Sequence, residues 1–169
     1  MTKPKPIRIL AFDTSLTRPG VAIIEIKNGK PSVAALSHVT TNSRDNHAIR
    51  TEQVYAWAIE FLRENGTNFD AIVREDFQGR SSRQNHPVFA AWSAIDRALN
   101  TYGLTFTAPA ISQSSVKKTV VGAGKAEKTD VADAVRKWTG YTGEFAVDDE
   151  SDAAAVALAY AIQQGMIIR

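Results

Sequence analysis

Runs of apolar residues alternate with helix-like patterns along the chain. Short apolar runs predict five strands, at 7–12, 21–27, 32–39, 69–73 and 104–107. Asn28-Gly29 predicts a tight hairpin between the second and third strands, because both central residues of such a turn need a positive φ. Helical periodicity predicts a helix that is capped by Asp45 or Asn46 and stops at Asn65, then helices at 87–102, twice within 112–138, and at 149–164.

The predicted elements follow the order β-β-β-α-β-α-β-α-α, in which the two short helices within 112–138 count as one element. An antiparallel unit followed by alternating strands and helices predicts an α/β fold. Its five-stranded mixed sheet would have three antiparallel and two parallel strands and would be flanked by helices. This is the element order of the ribonuclease-H-like fold. Because 169 residues is the size of one domain, we expect 1–169 to form a single domain of this kind.

The composition is that of a globular protein without thiol chemistry. Hydrophobic residues make up 44% of the chain, and there is no cysteine. Disulfides, thiolate zinc sites and cysteine nucleophiles are therefore excluded. The longest stretch without charged or strongly polar residues, 153–162, is too short to cross a bilayer. We expect no membrane contact and a cytoplasmic location, in the host cytoplasm if a phage encodes the protein.

The net charge of +2 conceals a separation of charge along the chain. Five acids and no Lys or Arg lie within 144–152, whereas 117–128 contains four lysines and one acid. A basic surface beside clustered carboxylates is typical of enzymes that act on nucleic acids, because phosphates attract lysines and clustered carboxylates need a cation. The alternative is a solvated helix end beside a solvated lysine loop.

Four acids are placed so that they can form one site. Asp13 ends the first strand and Glu75 follows the fourth, so both emerge at one edge of the sheet if these strands are parallel neighbours. Asp149 and Asp152 are three positions apart at the start of the last helix and share a face. Oxygen ligands without cysteine favour Mg²⁺ or Mn²⁺ over zinc, and two such ions can assist phosphodiester cleavage.

Each acid also has a purely structural interpretation. Asp13 is a suitable turn residue, and the two acids of the last helix complement the helix dipole. Glu75 can pair with Arg74 or Arg80. Taken together these interpretations weaken, because gathering several carboxylates costs repulsion unless a cation lies among them.

Other motifs in the chain are incomplete. The segment 122–125 resembles a phosphate-binding loop, but Ala126 stands where that motif needs Ser or Thr. We therefore expect no nucleotide cofactor. His38, His47 and His86 lack metal-ligand spacing, and we expect them at the surface.

The predicted helix 87–102 has two apolar surfaces. A stripe of large residues can cover the sheet, and a separate row of Ala90, Ala94 and Ala98 repeats at every fourth position. A row of small residues lets another helix approach closely. That neighbour is either the same helix of a homodimer partner or a helix of the same chain, and both interpretations remain open.

Two segments resemble the RuvC family of Holliday-junction resolvases, and the chain is similar to a divergent, phage-type member. Residues 116–128, VKKTVVGAGKAEK, match the family's VKxxVxGxGxAxK block almost residue for residue. Residues 149–155 match its terminal DxxDAxA helix. Weaker matches lie at 9–13 and 72–75.

The resemblance implies a homodimer that binds four-way and other branched DNA and makes paired symmetric nicks. It implies two Mg²⁺ ions per active site, with Mn²⁺ as a substitute, and 5′-phosphate and 3′-hydroxyl products. The acids that align with the family's catalytic, metal-binding carboxylates are Asp13, Glu75, Asp149 and Asp152. Lys117 and Lys128 align with catalytic lysines near the scissile phosphate. Lys118 and Lys125 fall in the same block as further DNA contacts.

The sequence departs from the family pattern at two places. Thr14-Ser15 stands where the family has Pro-Gly, although Pro19-Gly20 follows. Phe77 lies two residues after Glu75, where the family has an aromatic residue at the third position. The resemblance therefore implies only weakly that Phe77 stacks on an unpaired base, as the family's aromatic residue can. Arg80 and Arg83, which we place in a polar loop at 78–87, can grip phosphates.

Three other functions are compatible with parts of the sequence. One is a branched-DNA-binding protein without catalysis, although the presence of all four acids opposes it. Another is a ribonuclease-H-type or single-strand nuclease on the same scaffold. The third is an actin-like ATP-binding protein, whose members can open on a segment like 10–15. The chain lacks the second lobe and the second glycine-rich loop of that class.

Overall fold

The structure is a computed structural model that describes residues 4–168. Its strands are β1 (Ile7–Asp13), β2 (Gly20–Lys27), β3 (Lys30–His38), β4 (Ala71–Asp76) and β5 (Ile111–Ser112). Its helices are α1 (His47–Asn65), α2 (Ser82–Thr101), α3 (Gln113–Val120), α4 (Lys128–Thr139) and α5 (Asp148–Gln163). The strands form one sheet in the order β3-β2-β1-β4-β5.

The sheet has the predicted mixture of directions. β2 runs antiparallel to both β1 and β3, whereas β4 runs parallel to both β1 and β5. The predicted hairpin is confirmed, because Asn28 and Gly29 both adopt positive φ angles, 52° and 73°. Asn46 caps α1 as predicted, since its side chain accepts a hydrogen bond from the N–H of Ile49.

Alternating side chains of β1 build a separate core on each face of the sheet. Ile9 and Ala11 pack with α3, α4 and α5, and Leu10 and Phe12 pack with α1 and α2. Helix α5 is buried on almost every side because it lies against the sheet and also contacts α3 and α4. Its alanines let it lie close to the strands, which fixes the position of its acidic N-terminal turn.

The predicted fifth strand at 104–107 is wrong, because the paired strand is β5, at Ile111–Ser112. The segment 104–107 still lies beside β4, where Thr107 donates its backbone N–H to the carbonyl of Ile72. The N–H of Ile72, however, bonds to the hydroxyl of Thr107 at 2.9 Å and not to a backbone carbonyl. A side chain therefore takes the place of the next ladder bond, and regular pairing resumes only at β5.

Helix α2 begins at Ser82, one turn before the predicted start at Pro87, so the loop predicted at 78–87 is shorter. Proline is common at a first helical position because it has no N–H to donate, but here it is the sixth residue. The turn before it is held by side chains. The side-chain oxygen of Asn85 accepts a hydrogen bond from the backbone N–H of Gly79, and that of Gln84 accepts one from the backbone N–H of Arg80.

The alanine row of α2 faces α1 of the same chain. Ala90 and Ala94 form one wall of a groove whose other wall is α1, and Ala94 packs in the same core as Val54. Arg97 lies over the ring of Tyr55 across this contact. An internal neighbour thus accounts for the small residues. Within residues 4–168, no helix combines the length and the hydropathy needed to cross a membrane.

Candidate active site

The pairing of β1 with β4 brings Asp13 beside Glu75. The two parallel strands pair from Ile9 opposite Ala71 to Phe12 opposite Arg74. The residues that follow, Asp13 and Glu75, therefore lie side by side at the carboxyl edge of the sheet. The Asp13 and Glu75 side chains share a hydrogen bond there. The sequence expectation of two acids at one sheet edge is therefore met.

Helix α5 brings Asp149 and Asp152 to the same edge. Both side chains are partly buried, with 13% and 16% of their surface exposed. The first turn of α5 approaches β2 so closely that a Cβ atom on Gly20 would overlap the carbonyl oxygen of Asp149. Gly20 is thus required for the close contact that sets these two acids beside Asp13.

Burial and mutual repulsion raise the pKa of three of the four acids. Burial, and then the charge of Glu75, raise the pKa of Asp13 well above its usual value. Burial likewise raises the pKa of Glu75 to about 7, although the hydrogen bond from Asp13 opposes the shift. Burial raises the pKa of Asp152 to about 6, and Lys128 opposes that shift. The carboxylates thus form one electrostatically coupled cluster whose negative charge is only partly compensated.

Two lysines flank the cluster. Lys128 is the first residue of α4, and its Nζ lies 3.8 Å from Oδ2 of Asp152 and 3.8 Å from Oδ2 of Asp148. Lys117, on α3, is partly buried, and its positive charge opposes the raised pKa of both Glu75 and Asp152.

The remaining lysines of the 116–128 segment lie farther out on the surface. Lys118 and Lys125 are both exposed to solvent. The segment thus divides into two lysines that act on the acids and two that face solvent, a distinction that the sequence block does not reveal.

Arg18 is a residue of the site that sequence reasoning missed. Its Nε donates a hydrogen bond of 2.6 Å to Oδ2 of Asp149, from a residue 131 positions away in the chain. Arg18 lies in the β1–β2 loop, which is the segment where Thr14-Ser15 replaces the family's Pro-Gly. That departure is the one signal in the sequence that pointed to this loop.

His38 and Glu150 form a second pair that the sequence did not predict. His38 Nδ1 lies 2.9 Å from Oε1 of Glu150, and the backbone N–H of Ala146 donates to Oε2. Glu150 is buried, so its carboxylate is committed to these bonds. His47 and His86 are exposed as expected, and His38 is partly exposed, with 29% of its side-chain surface accessible, although it also has a partner that the sequence did not predict.

Glu75 does not form an ion pair with Arg74, because the two side chains leave β4 on opposite faces of the sheet. The guanidinium of Arg74 lies over the rings of Trp92 and Phe106, 4.0 and 4.5 Å from their centroids, and 3.8 Å from Oδ2 of Asp96. The structural interpretation of Glu75 as a partner of Arg74 is therefore excluded.

A cleft of about 440 Å³ opens beside Glu75, between the end of β4 and the start of α3. Phe77 lies on its wall with 40% of its surface exposed. Arg80 is exposed in the short segment that follows. Arg83, placed in the same loop by the sequence, instead lies in the first turn of α2, where it is also exposed.

The four acids are near one another but do not converge as a ready set of ligands. In the part of the chain that the structure describes, no group of three or more His, Asp or Glu side chains is in position to hold a metal ion. Asp13 and Glu75 bond to each other, and Asp149 is bound by Arg18.

The fold resembles those of several solved proteins. This chain superimposes on Thermus thermophilus RuvC, solved in complex with a Holliday junction substrate, with a TM-score of 0.80 over 95% of this chain and 96% of that chain, at 23% identity. It also matches Ydc2, the yeast mitochondrial Holliday junction resolvase, with a TM-score of 0.60 and 13% identity over 98% of this chain and 83% of that chain. These similarities confirm the predicted class, an α/β protein with the ribonuclease-H-like fold.

Sequence comparison defines the family within that class. Residues 9–160 match the model of the family described as crossover junction endodeoxyribonuclease RuvC, so the chain belongs to the RuvC family. Two proteins of this description from Prochlorococcus marinus are similar along nearly their whole length. That of strain MIT 9312 is 28% identical, and that of strain CCMP1986 is 30% identical; each alignment covers 94% of this chain and 99% of the relative.

Proposed function

We propose that this protein is a divalent-metal-dependent endonuclease that resolves Holliday junctions and other branched DNA. The observation that carries the proposal is the cluster of Asp13, Glu75 and Asp152 at the sheet edge, with raised pKa values and lysines beside it, in a member of the RuvC family. Partly uncompensated carboxylates attract a cation, and the lysines attract the phosphate backbone that would bring the scissile bond to it.

The residues at the edge fit Mg²⁺, with Mn²⁺ as a substitute, because all of their donors are carboxylate oxygens. The proposed ligands are Asp13, Glu75, Asp149 and Asp152. Two such ions per site, when bound, supply the Lewis acidity for phosphodiester hydrolysis that leaves 5′-phosphate and 3′-hydroxyl ends. The protein's own contribution is to hold the four acids on two elements, the sheet edge and the first two turns of α5.

The proposed DNA contacts are basic residues, with one aromatic residue in the cleft beside Glu75. Lys117 and Lys128, the lysines that act on the acids electrostatically, would offset negative charge at the scissile phosphate. The exposed basic residues Lys118, Lys125, Arg80 and Arg83 would bind the backbone on either side. Phe77, half exposed in the cleft beside Glu75, would stack on an unpaired base.

Paired symmetric nicks require two active sites, so we propose a homodimer that uses the outer face of α2. Since the alanine row is covered by α1, the free apolar surface is instead formed by Phe89, which is 49% exposed and packs on Trp92 with the ring centroids 5.5 Å apart. Ile49, at the start of α1, is similarly exposed. An isologous contact of this surface would relate the two sites by a twofold axis.

A cleavage assay on labelled DNA tests the proposed function. The protein is incubated with a four-way junction, a linear duplex, a single strand and an RNA–DNA hybrid, each with Mg²⁺, Mn²⁺ or EDTA. Paired nicks in the junction that depend on the metal and yield ligatable ends are the expected result. Junction binding without nicks would indicate a non-catalytic binding protein, and preferential cleavage of the hybrid or the single strand would indicate a different nuclease.

A further inference from the structure

Arg18 is held in place by a loop that is itself firmly bonded. The hydroxyl of Ser15 accepts from the backbone N–H of Arg18, which closes a tight turn within the β1–β2 loop. The backbone N–H of Thr41 donates to the carbonyl of Thr17 at 2.8 Å, and the buried Arg50 donates to the hydroxyls of Thr17 and Thr41. These bonds hold the backbone of the loop in one position, from which the guanidinium of Arg18 reaches Asp149.

The acids of the cluster obtain compensation in different ways. Asp13 and Glu75 share a hydrogen bond, Asp152 lies 3.8 Å from Lys128, and Asp149 is bound directly by Arg18 at 2.6 Å. A guanidinium keeps its charge at all physiological pH values, so this partner cannot leave by losing a proton. A divalent cation that uses Asp149 must therefore share the carboxylate with Arg18 or displace it, and is repelled by its charge in either case.

We propose that Arg18 is a positioning residue that competes with the divalent cation for Asp149 and so weakens metal binding in the free protein. The inference rests on the proposed function, since it takes the acidic cluster as the cation site. Arg18 stabilises the cluster while no cation is bound, and its fixed loop returns it to Asp149 when the cation leaves. When displaced, its guanidinium keeps its charge and would attract DNA phosphates that approach the cluster.

The test is the affinity of the full-length protein for Mn²⁺, measured by isothermal titration calorimetry without DNA. Arg18→Gln removes the charge and should tighten Mn²⁺ binding by about three- to tenfold, the effect of one partly exposed charge. Arg18→Lys keeps the charge and should bind Mn²⁺ with an affinity nearer to that of the wild type. Arg63→Gln, an equal change of charge on the exposed surface of α1, should have no effect.

A double-mutant cycle assigns the effect to Asp149. In an Asp149→Asn background, Arg18→Gln should tighten Mn²⁺ binding less than it does in the wild type, because the shared carboxylate is gone and only the repulsion by the Arg18 charge is relieved. Equal Mn²⁺ affinities of wild type and Arg18→Gln, or weaker binding by the variant, overturn the role of Arg18 while leaving the metal site intact. Failure of both proteins to bind Mn²⁺ overturns the metal site and the inference together. If Arg18→Gln does not fold, as judged by circular dichroism, Arg18→Met, which also removes the charge, takes its place. Tighter Mn²⁺ binding by Arg18→Met supports competition, and equal or weaker binding overturns it.

Discussion

The two ends of β1 carry charges of opposite sign that the fold treats differently. At the amino end, Arg8 donates to the backbone carbonyls of Asn65 and Asn68, pairs with Glu25 at 3.3 Å and lies over the ring of Phe69. At the carboxyl end, Asp13 faces other acids, and its pKa is raised by burial and by their charge.

The comparison shows that the charge of Arg8 stabilises the fold, whereas the charge of Asp13 does not. Arg8 has several partners within the chain, so its charge is compensated by the folded protein alone. The four acids at the other end lie together at a cost in free energy, which the chain offsets only in part through Arg18, Lys117 and Lys128. The end that stabilises the fold least is therefore the end where chemistry is expected.

The largest expected effect is the loss of cleavage when a charge is removed at the carboxyl end. Asp13→Asn should lower metal-dependent nicking of a four-way junction by about 100-fold or more, because the central carboxylate of the proposed site is gone. Binding of the junction, measured by gel shift in EDTA, should remain within about twofold, since a lost negative charge does not weaken DNA contacts.

Asp70→Asn is the matched control at the amino end. Asp70 accepts the backbone N–H of Arg8 at 2.8 Å, so this change alters the same chemical group outside the site. Full cleavage by Asp70→Asn is expected. Loss of junction binding by Asp13→Asn with cleavage retained would contradict the role given to Asp13.

A smaller effect is expected from the converse change at the amino end. Arg8→Gln removes the ion pair with Glu25 and two hydrogen bonds to backbone carbonyls, and should lower the free energy of unfolding by about 1–3 kcal/mol. Urea denaturation measures the change. Cleavage at 25 °C should stay within about twofold of wild type, and a strong loss of activity in the folded variant would show that the two ends are not independent.

The pH dependence of stability should report the acidic end directly. Because the pKa values of Asp13, Glu75 and Asp152 are raised in the folded state, that state binds more protons than the unfolded chain. Their stabilising contribution is full below about pH 4 and is lost as the pH rises through about 6 to 7. In EDTA, the free energy of unfolding should fall by about 1–3 kcal/mol between pH 5 and pH 8.

The same titration has an internal control. Glu75→Gln should flatten the dependence, because the amide cannot titrate, and Mn²⁺ at pH 8 should restore stability to the wild type. An equally steep fall in Glu75→Gln would remove Glu75 from the groups that cause the dependence.

The smallest expected effect concerns DNA binding. Lys117→Ala should weaken junction binding about two- to fivefold, reduce the salt dependence by about one phosphate contact and slow nicking. Lys27→Ala removes an exposed lysine at the opposite edge of the sheet and should leave both binding and its salt dependence unchanged. Fluorescence anisotropy at four salt concentrations distinguishes the two variants, and identical slopes would remove Lys117 from the DNA surface.

Local patterns predicted most of the fold because neighbouring residues determine them. Asn28-Gly29 specified its turn, and Asn46 specified the start of α1. The prediction of the fifth strand was wrong because the hydroxyl of Thr107 replaces a backbone acceptor, which a hydrophobic pattern does not show. The predicted start of α2 was wrong because the side chains of Gln84 and Asn85 stabilise a helical turn ahead of Pro87.

The candidate site was predictable only in part, for a related reason. Asp13 and Glu75 could be placed together because parallel strands end at one edge, a rule that needs no knowledge of side chains. The bond of Arg18 to Asp149 and that of His38 to Glu150 join residues more than 100 positions apart. Such pairs depend on loop conformation and helix docking, which have no periodic signature.

Gly20 allows the start of α5 to lie close to the sheet edge that carries Asp13 and Glu75. Since even a methyl group there would meet the backbone of Asp149, any side chain would push the start of α5 outward and separate the acids of the helix from those of the sheet. Gly20 should therefore tolerate few substitutions, although it has no reactive group.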